Sequence, residues 1–220
     1  MLHSVIINEV DLLDKYGLCL LADMALPIPT IREIRFTVPG MDGSLDVSTA
    51  LTGEPAFDDV EISFTLFVKK PDSELCQIRA QLANAYHGRK VKAVFPHDAE
   101  HYYSGTFKVG ELNGNNSGKI PVKILAAPWR YKITSTTVSR DDLGTAYKQL
   151  SLPNERRPVV PTITVAQDTT LLWQGNTYTI NAGTHRLPDI QLQAGDNILK
   201  AKVPDSGTGS ITVEYQEASL

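Results

Sequence analysis

Val60-Glu61-Ile62-Ser63-Phe64-Thr65-Leu66-Phe67-Val68 alternates apolar and polar side chains. Val60, Ile62, Phe64, Leu66 and Val68 therefore share one face, the pattern of a half-buried β-strand. A helix pattern follows directly. Leu75, Ile78, Leu82 and Tyr86 recur at spacings of 3, 4 and 4, which draws one apolar stripe along a helix. Asp72 or Ser73 can cap its start, Glu74 suits its first turn, and Gly88 can end it. The helix is predicted over about 73–87, pressed on a sheet.

Most of the remaining chain also reads as strands. His3–Asn8 and Tyr16–Leu21 are apolar runs, and Ile31–Val38 alternates like a half-buried strand. Val91–Phe95, Tyr102–Val109 and Lys119–Leu125 continue the pattern, with an Asn113-Gly114 hairpin loop between the last two. After about residue 133 there is no helix signal. Short β-prone runs recur at 134–139, 146–150, 161–166, 170–173, 177–180, 189–192, 197–203 and 210–215, separated by Gly/Asn turns. That rhythm predicts a second, small β-sandwich. The chain is thus expected to be mainly β: a first β domain with one packed helix over 1–133 and a small β-sandwich over 134–220.

Composition excludes more than it assigns. The 220 residues carry 21 Lys+Arg against 25 Asp+Glu, and 42% are hydrophobic. Such a chain can bury a core, and it has no basic arm for gripping nucleic acid. The charge is even: residues 1–133 hold 14 basic and 16 acidic side chains, the rest 7 and 9. The Met-Leu-His-Ser start shows no secretory pattern, and the apolar run at 17–22 is too short to span a bilayer. Cys19 and Cys76 fit no metal or redox spacing and are expected to be reduced, partly buried thiols.

Catalytic motifs are missing. There is no G-x-S-x-G, Walker A loop, G-x-G-x-x-G or H-E-x-x-H. Pro96-His97-Asp98-Ala99-Glu100-His101 is the richest set of metal-type ligands. His-x-x-x-His aligns ligands only on a helix, however, and this stretch is predicted to be a solvated hairpin loop. The acidic pairs Asp58-Asp59-Glu61 and Asp141-Asp142 read as solvated strand ends, and no cofactor is implied. Trp173 and Tyr178 are the candidates for stacking on a sugar, with core packing as the competing fate of Trp173.

Pro39–Asp59 is the longest irregular segment, PGMDGSLDVSTALTGEPAFDD. Loops this long are uncommon in compact domains. Leu45 and Val47 alternate within it, which suggests either a surface hairpin on its own subunit or an extended arm for a neighbour.

The order of these motifs resembles a family. Val38-Pro39-Gly40-Met41-Asp42-Gly43-Ser44-Leu45-Asp46, then Ala50-Leu51-Thr52-Gly53-Glu54-Pro55, then the strand from Val60, look like the distal tail proteins of siphovirus-type bacteriophages. Ala127-Pro128-Trp129-Arg130-Tyr131 resembles the junction of that family, and Leu192–Tyr215 its C-terminal sandwich. The resemblance implies a barrel-like first domain with a packed helix and a galectin-like or carbohydrate-module-like second domain. It also implies a hexameric ring at the virion tail tip, the hub of the baseplate. Assembly would take place in the host bacterial cytoplasm. The ring's partners would be the major tail tube protein, the tail-associated hub protein and receptor-binding or other baseplate proteins. DNA would pass through unrecognised, and there would be no membrane insertion. Segment 39–59 becomes the arm, with Met41, Asp42, Leu45, Val47, Leu51 and Glu54 at the subunit interface. The alternatives are a carbohydrate-binding module or a cell-wall hydrolase.

Overall fold

The computed structural model describes residues 3–50, 53–112, 118–204 and 207–220. The predicted Asn113-Gly114 loop and Leu51 lie outside them. The chain is mainly β and divides into two units: residues 1–130 with Leu220, and Tyr131–Ser219.

In the first unit the elements are β1 (Ile6–Ile7), β2 (Val10–Asp11), α1 (Leu12–Tyr16), β3 (Cys19–Leu20), β4 (Arg35–Phe36), β5 (Leu45–Asp46), β6 (Val60–Phe67), α2 (Asp72–Tyr86), β7 (Lys90–Phe95), β8 (Asp98–Val109) and β9 (Lys119–Lys132). A curled sheet runs β2-β1-β7-β8-β9-β6-β3. β6 pairs antiparallel with β9 from Val60↔Ala126 to Phe67↔Lys119. Val60, Ile62, Phe64 and Leu66 are buried, as the alternation requires. They pack with Leu75, Leu82 and Tyr86 of α2 and with Phe95 and Phe107 in one core. Phe64 and Phe95 meet edge-to-face, 5.3 Å between ring centres.

α2 starts at Asp72 without a side-chain cap, so neither Asp72 nor Ser73 plays the expected role. Asp72 and Glu74 sit in the first turn instead, where a negative charge meets the positive end of the helix. Arg79 anchors the helix to the sheet by donating from Nε and Nη2 to the Gly110 carbonyl at 3.1 and 3.0 Å. Gly118 (φ +82°) passes so close to β6 that an added Cβ would lie 2.1 Å from the Val68 carbonyl oxygen.

Several local expectations change. α1 replaces the start of the predicted 16–21 strand. Asp11 caps it by accepting the Leu13 N–H at 2.7 Å, and Gly17 ends it in the left-handed conformation. Ile31–Val38 is not half-buried: only Arg35–Phe36 pairs as strand, with Leu45–Asp46. Period-two alternation dictates backbone form, not burial. Cys19 is buried, while Cys76 is exposed on α2.

The second unit contains β10 (Thr136–Leu143), β11 (Lys148–Asn154), β12 (Thr162–Val165), β13 (Thr169–Trp173), β14 (Asn176–Ile180), β15 (Gly183–His185), β16 (Gly195–Lys202), β17 (Gly209–Tyr215) and β18 (Ala218–Ser219). Two sheets, β10-β17-β12-β15 and β11-β16-β13-β14, share one core. Leu152, Leu171, Trp173 and Leu199 from one sheet meet Ile163, Ile211, Val213 and Tyr215 from the other. The predicted strand at 189–192 is absent: it contributes only a bridge between Leu192 and Val159. Two buried asparagines hold this segment. Asn197 accepts the Gln193 N–H at 2.9 Å, and its amide lies within reach of the Leu152, Gln193 and Gly195 carbonyls. Asn154 donates to the Arg157 carbonyl at 2.9 Å.

Candidate functional site

The candidate arm is a ribbon longer than the sequence suggested. Its legs run from about residue 31 to 57. Ile31 bridges Phe57 at the base, and Phe57 meets Trp129 of β9 edge-to-face at 5.6 Å. Above the base, the Arg32 N–H donates to the Ala56 carbonyl at 2.8 Å and the Val47 N–H to the Ile34 carbonyl at 2.9 Å. The Ser48 hydroxyl accepts the Ile34 N–H at 2.8 Å and donates to Asp46 at 2.6 Å. Ion pairs brace the legs: Arg32 with Asp58 at 2.8 Å, and Arg35 with Glu33 at 3.1 Å and Asp46 at 3.7 Å. The Ser48 hydroxyl and N–H, with Arg35 adding to them, hold the Asp46 carboxyl below its usual range.

This ordered ribbon leaves about half of its apolar side-chain surface exposed. Ile31, Ile34, Phe36, Val38, Met41 and Leu45 are all exposed, Phe36 to 55%, and so is Ile28, just before the ribbon, to 83%. They are seven of the twelve exposed large hydrophobic residues among those described. Exposed apolar side chains concentrated on one ordered segment make it a candidate interaction surface. Among the interface candidates, Met41, Asp42, Leu45 and Glu54 are exposed, Val47 is half-buried against its own ribbon, and Leu51 lies outside the described residues. Ile31, Ile34, Phe36 and Val38 escaped the sequence reading because their segment looked like a half-buried strand. Their neighbours Pro27, Pro29 and Pro39 were the available signal, since proline breaks sheet pairing.

The His/Asp cluster at 96–101 is not a solvated loop. Pro96-His97 alone makes the turn, and Asp98–His101 begin β8 beside a bulge. Asp98 gathers His101 Nδ1 at 2.7 Å, the Tyr103 hydroxyl at 2.9 Å and Arg130 Nη1 at 3.2 Å. Burial pushes the Asp98 carboxyl up, but hydrogen bonds from His101 and Tyr103 and the Arg130 charge outweigh it and hold the carboxyl low. Burial, then Asp98, pushes the Tyr103 phenol up to about 12. The cluster ties turn to strand. It places no nucleophile beside a base, and among the described residues no group of three or more ligand-type side chains converges on a metal position.

The acidic pairs are likewise engaged. Glu61 pairs with Lys123 at 2.6 Å, and Asp142 with Arg140 at 2.5 Å. Trp173 is 3% exposed and lies in the core of the second unit, so its ring has no free face for a sugar. Tyr178 is half-buried beside the same core.

The fold and ribbon define a class: a two-unit β protein with a curled, helix-packed first sheet, a small sandwich, and an ordered ribbon whose apolar side chains are left uncovered. SPP1 Dit (gp 19.1), described as a paradigm of the hub adsorption apparatus in phages that infect Gram-positive bacteria, shares this fold. The match covers 100% of both chains with a TM-score of 0.69 and 16% identity. The motif resemblance to the distal tail proteins therefore has a structural counterpart along the full chain. A designed double-stranded β-helix (TM-score 0.27, 9% identity, 38% of this chain and 99% of that one) and an ethanolamine utilization protein from Salmonella typhimurium (0.23, 12%, 85% and 96%) are too distant to carry an argument. No protein-family model matches the chain, and no curated protein does.

Proposed function

We propose that this chain is a non-enzymatic structural subunit of a phage tail tip that closes into a hexameric ring. The ring links the tail tube protein to the tail-associated hub protein, with other baseplate proteins as further partners, and sits in the virion after assembly in the host cytoplasm. The observation that carries this reading is the ribbon: six exposed apolar side chains on a segment fixed by its own hydrogen bonds. Such a surface is built before its partner arrives. Repetition of one ribbon on the adjacent copy is a heterologous contact, which closes into a ring when the rotation closes. The full-length likeness to a phage hub protein supports the same reading.

Sedimentation velocity and negative-stain microscopy of the pure chain test it. The expected species is a ring, and deletion of residues 41–54 should leave a folded monomer. A ring that survives the deletion removes the ribbon from the assembly mechanism.

A further inference from the structure

The first unit contains two histidines that its own hydrogen bonding leaves unused. The chain has five histidines. Three have a ring nitrogen engaged within the chain. His87 Nδ1 accepts the Val109 N–H at 3.0 Å, His101 Nδ1 lies 2.7 Å from Asp98, and His185 Nε2 lies 2.8 Å from the Asn181 carbonyl oxygen. His3 and His97 have no such partner among the described residues. Both are exposed, and they stand beside each other, with ring centres 5.9 Å apart and planes tilted by 30°.

Strand register brings them together. β1 pairs with β7 through Ile6↔Val94 and Ile7↔Ala93. Continued toward the start of the chain, the same antiparallel register sets Ser4 opposite Pro96 and His3 opposite His97. Residues directly opposite each other have Cβ atoms about 4.5–5.5 Å apart. Both backbones are held. The Leu20 N–H donates to the His3 carbonyl at 2.8 Å, and Pro96-His97 forms the turn into β8. Rotation of the rings is therefore enough to aim both at one ligand. Zinc sits about 2.0–2.1 Å from a coordinating imidazole nitrogen, which puts two imidazoles on one ion with centres about 5–6.5 Å apart. Neutral imidazole suits zinc and its transition-metal neighbours, whereas calcium and magnesium take oxygen ligands. The carboxylates beside the pair add no convergent third ligand. Asp98 is taken by His101, Tyr103 and Arg130, and Asp11 by Ser4 and the Leu13 N–H, while Glu100 is exposed.

We infer that His3 and His97 form a binding site for one divalent transition-metal ion of the zinc type, with water in its remaining positions. The site is independent of the ring reading above. It also departs from the sequence pattern: of the two histidines in 96–101, His97 takes part and His101 is turned to Asp98. The ion acts as a cross-strand clip. The His3–Leu20 bridge ties β3, at one end of the sheet path, to the segment entering β1 near the other end. A metal on His3 and His97 fastens that same segment to the β7–β8 turn, so the seam of the curled sheet is held from both sides.

Calorimetric titration of the full-length chain with zinc chloride tests the site. One ion should bind per chain, and His3→Ala and His97→Ala should each weaken binding at least about ten-fold. His185→Ala should bind like the wild type. Zinc should raise the thermal midpoint of the wild type, as any ligand of the folded state alone does, and leave that of His97→Ala unmoved. Copper used as a probe should show two imidazole nitrogens in its electron paramagnetic resonance spectrum. Four results overturn the inference. Absence of saturable zinc binding below about 1 mM makes the pair an aromatic contact only. Undiminished binding by His97→Ala places the ion elsewhere. Loss in His3→Ala alone shows that His3 binds without its neighbour. Displacement of zinc by an equal concentration of calcium assigns the site to oxygen ligands. Both positions are exposed, so the variants should fold, and midpoints measured without zinc check this. Should either Ala variant fail to fold, His3→Gln and His97→Gln carry the same titration.

Discussion

The ribbon of the first unit and the 187–194 segment of the second are both largely irregular, yet they are finished differently. In the second unit, Ile190 and Leu192 are fully buried, and Asn197 takes up the backbone groups around Gln193. In the ribbon, backbone groups are paired but the apolar side chains stay in water. The second segment is complete within one chain. The ribbon has its hydrogen bonds internally and its hydrophobic contacts missing. Order without burial separates a surface awaiting a partner from a loop that merely connects, since apolar burial is what normally stabilises order.

Substitutions can break or sharpen that contrast. Trp173→Ala should destabilise the second unit by about 4 kcal/mol, a cavity effect visible as a lowered thermal midpoint. A variant that keeps its midpoint but loses sugar binding would restore the stacking role. Asn197→Ala removes four hydrogen-bond contacts, one buried and three part-buried, and should destabilise by about 2–3 kcal/mol. An unchanged midpoint would show that Ile190 and Leu192 hold their segment without it. Asp98→Asn should destabilise the first unit by about 1–2 kcal/mol at neutral pH, Arg130 being partly exposed. The sign with pH is fixed. The folded carboxyl titrates below its unfolded value of 3.8, so its contribution is present above about pH 4 and lost on further acidification. Wild type and variant should therefore converge in stability below that pH, as urea titrations would record. Phe36→Ser should destabilise the fold by less than about 1 kcal/mol, because the residue lies 55% exposed and outside both cores, yet weaken assembly. A large loss of stability there would mean that the ribbon is internally packed after all.

The parts that were legible in sequence are those where local pattern and tertiary burial agree. VEISFTLFV and the stripe of Leu75, Ile78, Leu82 and Tyr86 announce a strand and a helix because each buries the face its period defines. Ile31–Val38 has the same alternation without burial, so pattern alone placed it in the wrong environment. The ribbon's existence followed from the length of 39–59, but its true base at Ile31 and Phe57 depends on a contact 26 residues apart. α1 had its signals, Asp11 before and Gly17 after, in a segment too short for periodicity to show. The Asp98 cluster looked like a loop because its charges are satisfied by Tyr103 and by the distant Arg130. Long-range pairing of this kind leaves no local trace.

Pre-formation of the ribbon also has an entropic meaning. A segment that orders only on contact gives up about 1–2 kcal/mol of backbone freedom per residue at that moment. Here the Arg32–Ala56 and Val47–Ile34 hydrogen bonds, the Ser48 bridge and the Arg32–Asp58 pair have fixed much of that backbone during folding. In the proposed ring, each newly arrived copy would meet a pre-formed surface, and the free energy of contact would go into the strength of the joint. Joints of that kind can form at low subunit concentration and dissociate slowly, which suits a particle built once and then expected to last.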